Sequence, residues 1–414
     1  MNKTTWTVLK VTGLLLAGSV WAEEVPETYK GVRPAGMGNA FTGLANDHNA
    51  IWTNPAGVAR VRKARSRHAF SVVHFPNLVG GLNSEGEDFY RELQSSGGSK
   101  KDPESIQKVL ESLDKLSNAS IWARASTSIL SFFDIPKGAP WAFGLISNSR
   151  LKVTRDEDDS SVAIVDSISD LGGVLTLGLT NRTNRLNFAV QLRPAFRFSY
   201  FDKIPVETLI DFDSKTKARI KEDSNNGLGI GVDLGFMWTF ADFWFPTLGI
   251  AIRNLPTGCV DDYLNSFEEV RQKVCGTKYG GTVNNPDSPA LVDPMDGRIG
   301  VSMTPRLTHK FALRFAVDYH HIYFSPDNKT YYGLSGIEPI KQTHAGVEFF
   351  IGNPLQLNPV SFRIGFNQGF ITYGGTLRLS YFLLEGAVYG QDISSGTSGK
   401  EDKRILISLA AEFN

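Results

Sequence analysis

The amino-acid sequence predicts an all-β protein, a transmembrane antiparallel β-barrel of about 14 strands. Three observations carry this. Apolar and polar residues alternate with a period of two over unusually long runs, as in 186–201 and 226–240. Short and long connections alternate along the chain, apart from the tight turn Gln368-Gly369 where a long link is due. Past residue 22 no apolar run approaches the roughly twenty residues that a spanning helix needs, so only a closed barrel would embed the chain in a bilayer.

The chain opens with a leader. Met1 to Ala22 carries Lys3 and Lys10, an apolar run from Val11 to Val20, and Val20-Trp21-Ala22 as a small-x-small cleavage site. That run is too short to span, so residues 1–22 read as a secretory signal peptide. Lysine plus arginine number 43, as do aspartate plus glutamate; the leader holds two lysines and no acid, leaving about −2 on the mature chain. A balance near neutrality argues against nucleic acid or an acidic membrane surface as partner. No Pro/Ser-rich linker breaks the 414 residues, so the expected organisation is an N-terminal segment at 23–66 leading into one barrel with extracellular loops at 67–414.

Arg33 to Gly57 is the stretch around which the rest is organised. Gly36, Gly38 and Gly43 leave narrow faces between Met37, Phe41 and Leu44, whose helical spacing predicts an apolar stripe where other backbone closes in. Asp47 and Asn49 are placed to cap a second short helix carrying Ala50, Ile51 and Trp52, which Pro55 and Gly57 would end.

Fourteen strands follow, at about 68–82, 119–133, 139–153, 170–181, 186–201, 226–240, 245–254, 297–305, 309–320, 343–352, 360–367, 370–379, 381–390 and 403–413. In the fifth, Leu186, Phe188, Val190, Leu192, Phe196, Phe198 and Tyr200 share one face, against Asn187, Gln191, Arg193, Arg197 and Ser199. A soluble sandwich also alternates, but its strands are shorter and its outer face carries the charge. The inward phase collects Arg124, Arg193, Arg197, Arg253, Arg298, Arg314, Arg363 and Arg378 with Asp233, Asp318, Glu348, Glu385 and Glu412. Such a lumen either pairs with a packed plug or favours an anion such as a carboxylate. Gly227, Gly229, Gly231 and Gly235, at strict period two, predict room for a plug or neighbouring backbone rather than a phosphate loop. Pro194 removes one ladder hydrogen bond, marking a kink, a lateral opening or a bulge.

Two long links are expected to hold helices over the barrel mouth: Glu87 to Asn118, with Ile106, Val109, Leu110, Leu113 and Leu116 after Pro103, and Asp261 to Val274. Cys259 and Cys275 bracket the second and, in an exported chain, are expected to form a disulfide. No metal site or cofactor is predicted. His320 and His321 beside Asp318 are the one tempting catalytic cluster; adjacent strand residues point to opposite faces, so only His320 is expected to join Asp318 in the lumen, and no enzyme is predicted.

The run Arg33-Pro34-Ala35-Gly36-Met37-Gly38-Asn39-Ala40-Phe41, followed by Asn46-Asp47, Ala50 and Trp52-Thr53-Asn54-Pro55-Ala56-Gly57, resembles the N-terminal pattern of the FadL-like outer-membrane protein superfamily. That superfamily takes in fatty-acid and hydrocarbon transporters and the PorV-like and TraF-like barrels. Arg363 to Gly369 and the strand from Leu384 to Tyr389 are similar to the PorV-like members. The resemblance implies a Gram-negative outer-membrane barrel, in contact with outer-membrane lipid, whose lumen the N-terminal segment plugs. Gly36, Gly38, Asn54, Pro55 and Ala56 would shape the plug, and Phe41, Ile51 and Trp52 would touch the ligand path or wall. Arg193, Arg197, Arg314, Asp318 and Arg363 are the expected lumen residues. Asn46 stands where the family pattern has its first acid, which leaves a paired acidic site in doubt. The implied function is passive uptake of a hydrophobic or amphipathic small molecule such as a long-chain fatty acid. The alternative is a PorV-like scaffold for secretion or envelope assembly, with a protein partner and no solute.

Overall fold

A computed structural model of the chain describes residues 27, 29–61, 70–87, 120–134, 139–156, 159, 161–205, 220–259, 275–285, 292–308, 310–322, 339–351, 360–393 and 399–413. The period-two segments become strands β1 (Phe70–Asn83), β2 (Ser120–Asp134), β3 (Pro140–Arg155), β4 (Val162–Thr180), β5 (Leu186–Pro205), β6 (Asn225–Thr239) and β7 (Thr247–Arg253). Four short strands then form within one connection: β8 (Gly258–Cys259), β9 (Cys275–Lys278), β10 (Gly280–Thr282) and β11 (Val292–Pro294). The wall resumes with β12 (Asp296–Met303), β13 (Phe311–Tyr319), β14 (Thr343–Ile351), β15 (Val360–Asn367), β16 (Phe370–Leu379), β17 (Phe382–Asp392) and β18 (Glu401–Phe413).

Fourteen of these strands make one closed antiparallel barrel. β7 joins β6 to β12, and β18 returns to pair with β1 through Leu78 with Leu409 and Leu82 with Ile405. Closure satisfies every strand edge of the wall, the condition for spanning lipid with strands. The pleat sorts the side chains as the alternation predicts. Phe188, Val190, Leu192, Phe196 and Phe198 of β5 are exposed on the outer face, while Asn187, Gln191, Arg193, Arg197 and Ser199 are buried within. Aromatic residues gather at the end of the barrel with the short turns: Phe133 stacks on Trp141 at 4.4 Å, Phe243 on Trp244 at 4.6 Å and Tyr381 on Phe413 at 5.5 Å. An aromatic girdle below an apolar band is what the interface of an outer membrane selects, so the molecule is an outer-membrane barrel.

Two expectations about the wall need correction. β4 begins at Val162, not at 170, so the link expected to be long contracts to the residues between Arg155 and Val162. The hairpin of β4 and β5 therefore runs on beyond the apolar band, where Val165, Tyr200 and Ile204 pack on one another. Tyr200 is buried there instead of sharing the outward face of Phe198, because above the lipid the hairpin makes its own small core. The leader and both predicted loop helices, within 87–118 and 261–274, lie outside the described residues.

Candidate functional site: the plugged lumen

Residues 29–61 lie buried almost throughout, inside the cylinder. They do not form the glycine-rich helix predicted through Leu44. One helical turn spans Val32–Gly36, a second Ala50–Thr53, and Pro55–Arg60 is 3₁₀. The first stops at Gly36, with a turn following in which Gly38 takes φ +64°, and beyond it the N–H groups of Phe41 and Thr42 turn to the Asp318 carboxylate of the wall. A Cβ on Gly38 would stand 2.4 Å from the carbonyl oxygens of both Ala345 and Phe366, so only glycine lets this turn seat against β14 and β15. Asp47, not Asn49, makes the local cap: its Oδ1 accepts from the Asn49 N–H, and Asn49 offers no side-chain cap.

Polar groups of β12–β16 dock the first half of the plug. Asp318 Oδ2 accepts the backbone N–H groups of Phe41 at 2.8 Å and Thr42 at 2.6 Å. Ser302 donates to the Gly43 carbonyl at 2.7 Å, and His344 Nδ1 lies 2.9 Å from the Gly38 carbonyl. The centre of the contact is Glu348. Arg33 of the plug meets it in a fork, Nε to Oε1 at 3.0 Å and Nη2 to Oε2 at 2.6 Å, while Arg314 and Arg363 reach it at 2.9 and 3.0 Å. Arg33 Nη1 then grips Asp47 at 2.6 Å and Asn46 at 2.8 Å, and its guanidinium lies over the Phe41 ring. Burial acts to raise the Asp47 carboxyl, but Arg33 outweighs it, with His48 and the Asn49 N–H assisting, and holds the group down at about 2. Asn46 takes a neutral share of the same guanidinium, so one acid, not a pair, stands at this place.

The Asn-Pro-Ala turn pins the second half to β5–β7. Asn54 Oδ1 accepts from the Ala56 N–H, and its Nδ2 donates to the carbonyls of Thr42 and of Phe236 in the wall. Gln191 donates to the Ile51 carbonyl at 2.8 Å. Gly235 gives the turn its seat, since a Cβ there would lie 2.4 Å from Asn54 Oδ1. Trp52, stacked on Tyr29 at 4.0 Å, packs with Phe41 and Ile51 into a core shared with Leu130, Phe132, Ile146 and Val174 of the wall.

The other glycines of β6 serve a second insert. Gly227 and Gly229 lie against Tyr279, which belongs to the connection between β7 and β12. In that connection Cys259 and Cys275 are joined in a disulfide, and β8, β9 and β11 form a small sheet. Arg197 ties the sheet to the barrel: it holds Asp170 on β4 at 2.7 Å and Asp293 on β11 at 2.6 Å, with its guanidinium 4.0 Å from the Tyr279 ring centroid. Below it Arg193 pairs with Asp233 at 2.7 Å. Thus the lumen is filled by the N-terminal plug in its middle and by a disulfide-closed sheet at the end of the long loops.

The five lumen residues singled out in the sequence are all buried, in two groups. Asp318 docks the plug, and Arg314 and Arg363 hold Glu348, which grips the plug's Arg33; Arg193 and Arg197 brace the loop sheet. The hub Glu348 and its plug partner Arg33 were visible only as an inward phase and a motif residue, and Asp170 and Asp293 gave no signal at all, because their partners come from distant strands. His321 contradicts the expectation of opposite faces: it lies past the end of β13 with φ +56°, so period two no longer applies, and it is buried against Asp296 while His320 contacts Asp318 at 3.3 Å. With Asp318 occupied by two plug N–H groups, that cluster is a docking device. At Pro194 the β4–β5 pairing lapses between Gly172–Ala195 and Leu175–Leu192, a local break in the ladder. A concavity of about 1020 Å³ opens on the lipid side around Gly80, outside the plug.

No protein-family model matches the chain, and no characterised protein matches it by sequence. Solved structures do. The toluene transporter TbuX of Ralstonia pickettii superposes with a TM-score of 0.50 at 9% identity, over 94% of this chain and 99% of that one. The CymD monoaromatic hydrocarbon channel gives 0.49 at 10% identity over 96% and 98%, and the toluene transporter TodX of Pseudomonas putida 0.47 at 9% over 94% and 98%. The chain therefore shares its overall fold with that toluene transporter, and here the fold is a closed fourteen-stranded wall around an N-terminal plug.

Proposed function

We propose that the protein is an outer-membrane channel for passive uptake of a hydrophobic or amphipathic small molecule, with a long-chain carboxylate as the preferred class. One observation carries the reading: the lumen is closed by a segment held through side-chain contacts to a wall to which it contributes no strand. Such a plug is a separable stopper, whose contacts are exchangeable while the wall's ladder stays intact. The fold shared with a toluene transporter supports the hydrophobic half of the proposal. Supporting the amphipathic half is a lumen rich in arginine. Residues 1–22 would be removed on export, leaving 23–66 as the stopper and Phe41, Ile51 and Trp52 as its apolar contact with the path.

Growth on a long-chain fatty acid as sole carbon source tests it. Cells lacking the protein are expected to grow poorly, and Gly38→Trp should fail to restore growth although the barrel still migrates as a folded, heat-modifiable species. Normal growth and uptake in the deletion strain, together with a stable protein partner recovered from membranes, would instead identify a scaffold and end the transport reading.

A further inference from the structure

Among the described residues, the buried arginines of the lumen pair with carboxylates, with two departures. Arg33, Arg193, Arg197, Arg298, Arg314, Arg363 and Arg404 each hold a carboxylate at 3.0 Å or less. Arg124 lacks a carboxylate but donates to the Glu27 carbonyl and lies beside the Trp122 ring. Arg253 has neither. It is 4% exposed, and its Nε and Nη2 are buried with no hydrogen-bond partner. The nearest acids are already committed: Asp233 to Arg193, Gln191 and the Asn254 N–H, and Asp296 to Arg298 and His321. Asp233 and Asp296 act on the Arg253 charge through space, but two buried N–H groups with no acceptor are costly, and an incoming anion would satisfy them.

Its place in the fold says what that anion would be. Arg253 ends β7, directly opposite Asp296 in the register of β12. The next residue, Asn254, donates to the Pro294 carbonyl, so the guanidinium lies at the foot of the disulfide-closed sheet, between the long loops and the plug. A guanidinium with two adjacent free N–H groups matches the two oxygens of a planar carboxylate. We propose that Arg253 is the carboxylate-binding residue of the lumen, taking the head group of the amphipathic molecule as it passes beneath the loop sheet. This rests on the channel reading, keeps its preferred class, and assigns recognition of the carboxylate to one residue.

The test compares octanoate with octanol, equal in chain length and different in charge, by titration calorimetry on the full-length mature protein in a non-ionic detergent. Wild type is expected to bind octanoate about tenfold more tightly than octanol, the scale of a charge-assisted hydrogen bond to a buried group. Arg253→Met should erase that preference and leave octanol binding in place, and Arg253→Lys should restore part of it. Octanol binding in the variant also shows that the variant is folded. Competition by acetate would show that the site reads a free small carboxylate, and its absence that the apolar tail is required; in both cases the carboxylate is what is recognised. Equal affinity for octanoate and octanol in wild type, or an octanoate preference that survives Arg253→Met, overturns the assignment while the channel stands. Binding of neither molecule overturns both.

Discussion

At the scale of single residues, the molecule is organised by a few buried groups with more partners than a pair. Glu348 accepts from Arg33, Arg314 and Arg363, and only the first of these belongs to the plug. Removing the carboxylate would leave three guanidiniums facing one another in a closed space. Glu348→Gln is expected to cost about 3–5 kcal/mol of the plug's attachment, the usual consequence of stranding a buried charge. Limited proteolysis after Arg60 reads this directly: the variant's plug should be cut in intact membranes under conditions that spare the wild type, with the barrel unaffected. Gly235 acts through space alone. Gly235→Val places methyl groups where Asn54 and Ala56 sit, 2.4 and 2.5 Å from the ideal Cβ, so the turn must leave its seat. Hydrogen exchange at Ala56 and Gly57, protected in wild type, should become fast in the variant; unchanged protection would show that the wall can yield instead.

Among elements, the contrast is between strands that the chain's own alternation dictates and inserts that depend on them. β6 carries both kinds of information. Its outward Leu228, Ile230, Leu234 and Trp238 meet lipid, and its inward glycines accept the loop sheet at one end and the Asn-Pro-Ala turn at the other. The loop sheet is small, with β8 only two residues long, and would not persist unaided. Its disulfide closes a loop of sequence separation 16, worth about 3 kcal/mol by restriction of the open chain. Replacing Cys259 and Cys275 together by serine should therefore loosen the sheet without unfolding the wall. External trypsin is expected to cleave between β7 and β12 in the variant, or in wild type after reduction, while the heat-modifiable barrel persists. Resistance in both would mean that Arg197 and its two aspartates suffice.

For the whole molecule, the decisive contrast is an outer surface of leucine, isoleucine and phenylalanine around an interior of arginine and acid, the reverse of a soluble protein. Lipid is the only solvent in which that exterior is stable. Leu192→Arg, on the outward face of β5 and further from the short turn, is expected to lower the stability of the barrel refolded into vesicles by about 2–4 kcal/mol, whereas the same exchange at a loop should cost little. Urea titration in vesicles measures it; a loss below about 1 kcal/mol would place Leu192 outside the lipid band.

The sequence by itself determined the wall. Strand number, the phase of Leu186 to Ser199 and the inward set of arginines were legible because a pleat has a strict period, and lipid enforces it on every turn. The Asn54-Pro55-Ala56 turn was legible because its chemistry is local. What the tertiary structure alone decided was pairing across the lumen. That Glu348 gathers Arg33, that Asp318 caps the backbone of Phe41 and Thr42, that Gly36 to Leu44 is not helical, and that Arg253 is left over all depend on which strands face one another once the cylinder closes. Alternation states which side a residue takes, but the distance across the barrel joins residues some three hundred positions apart, and no periodicity in the chain encodes that meeting.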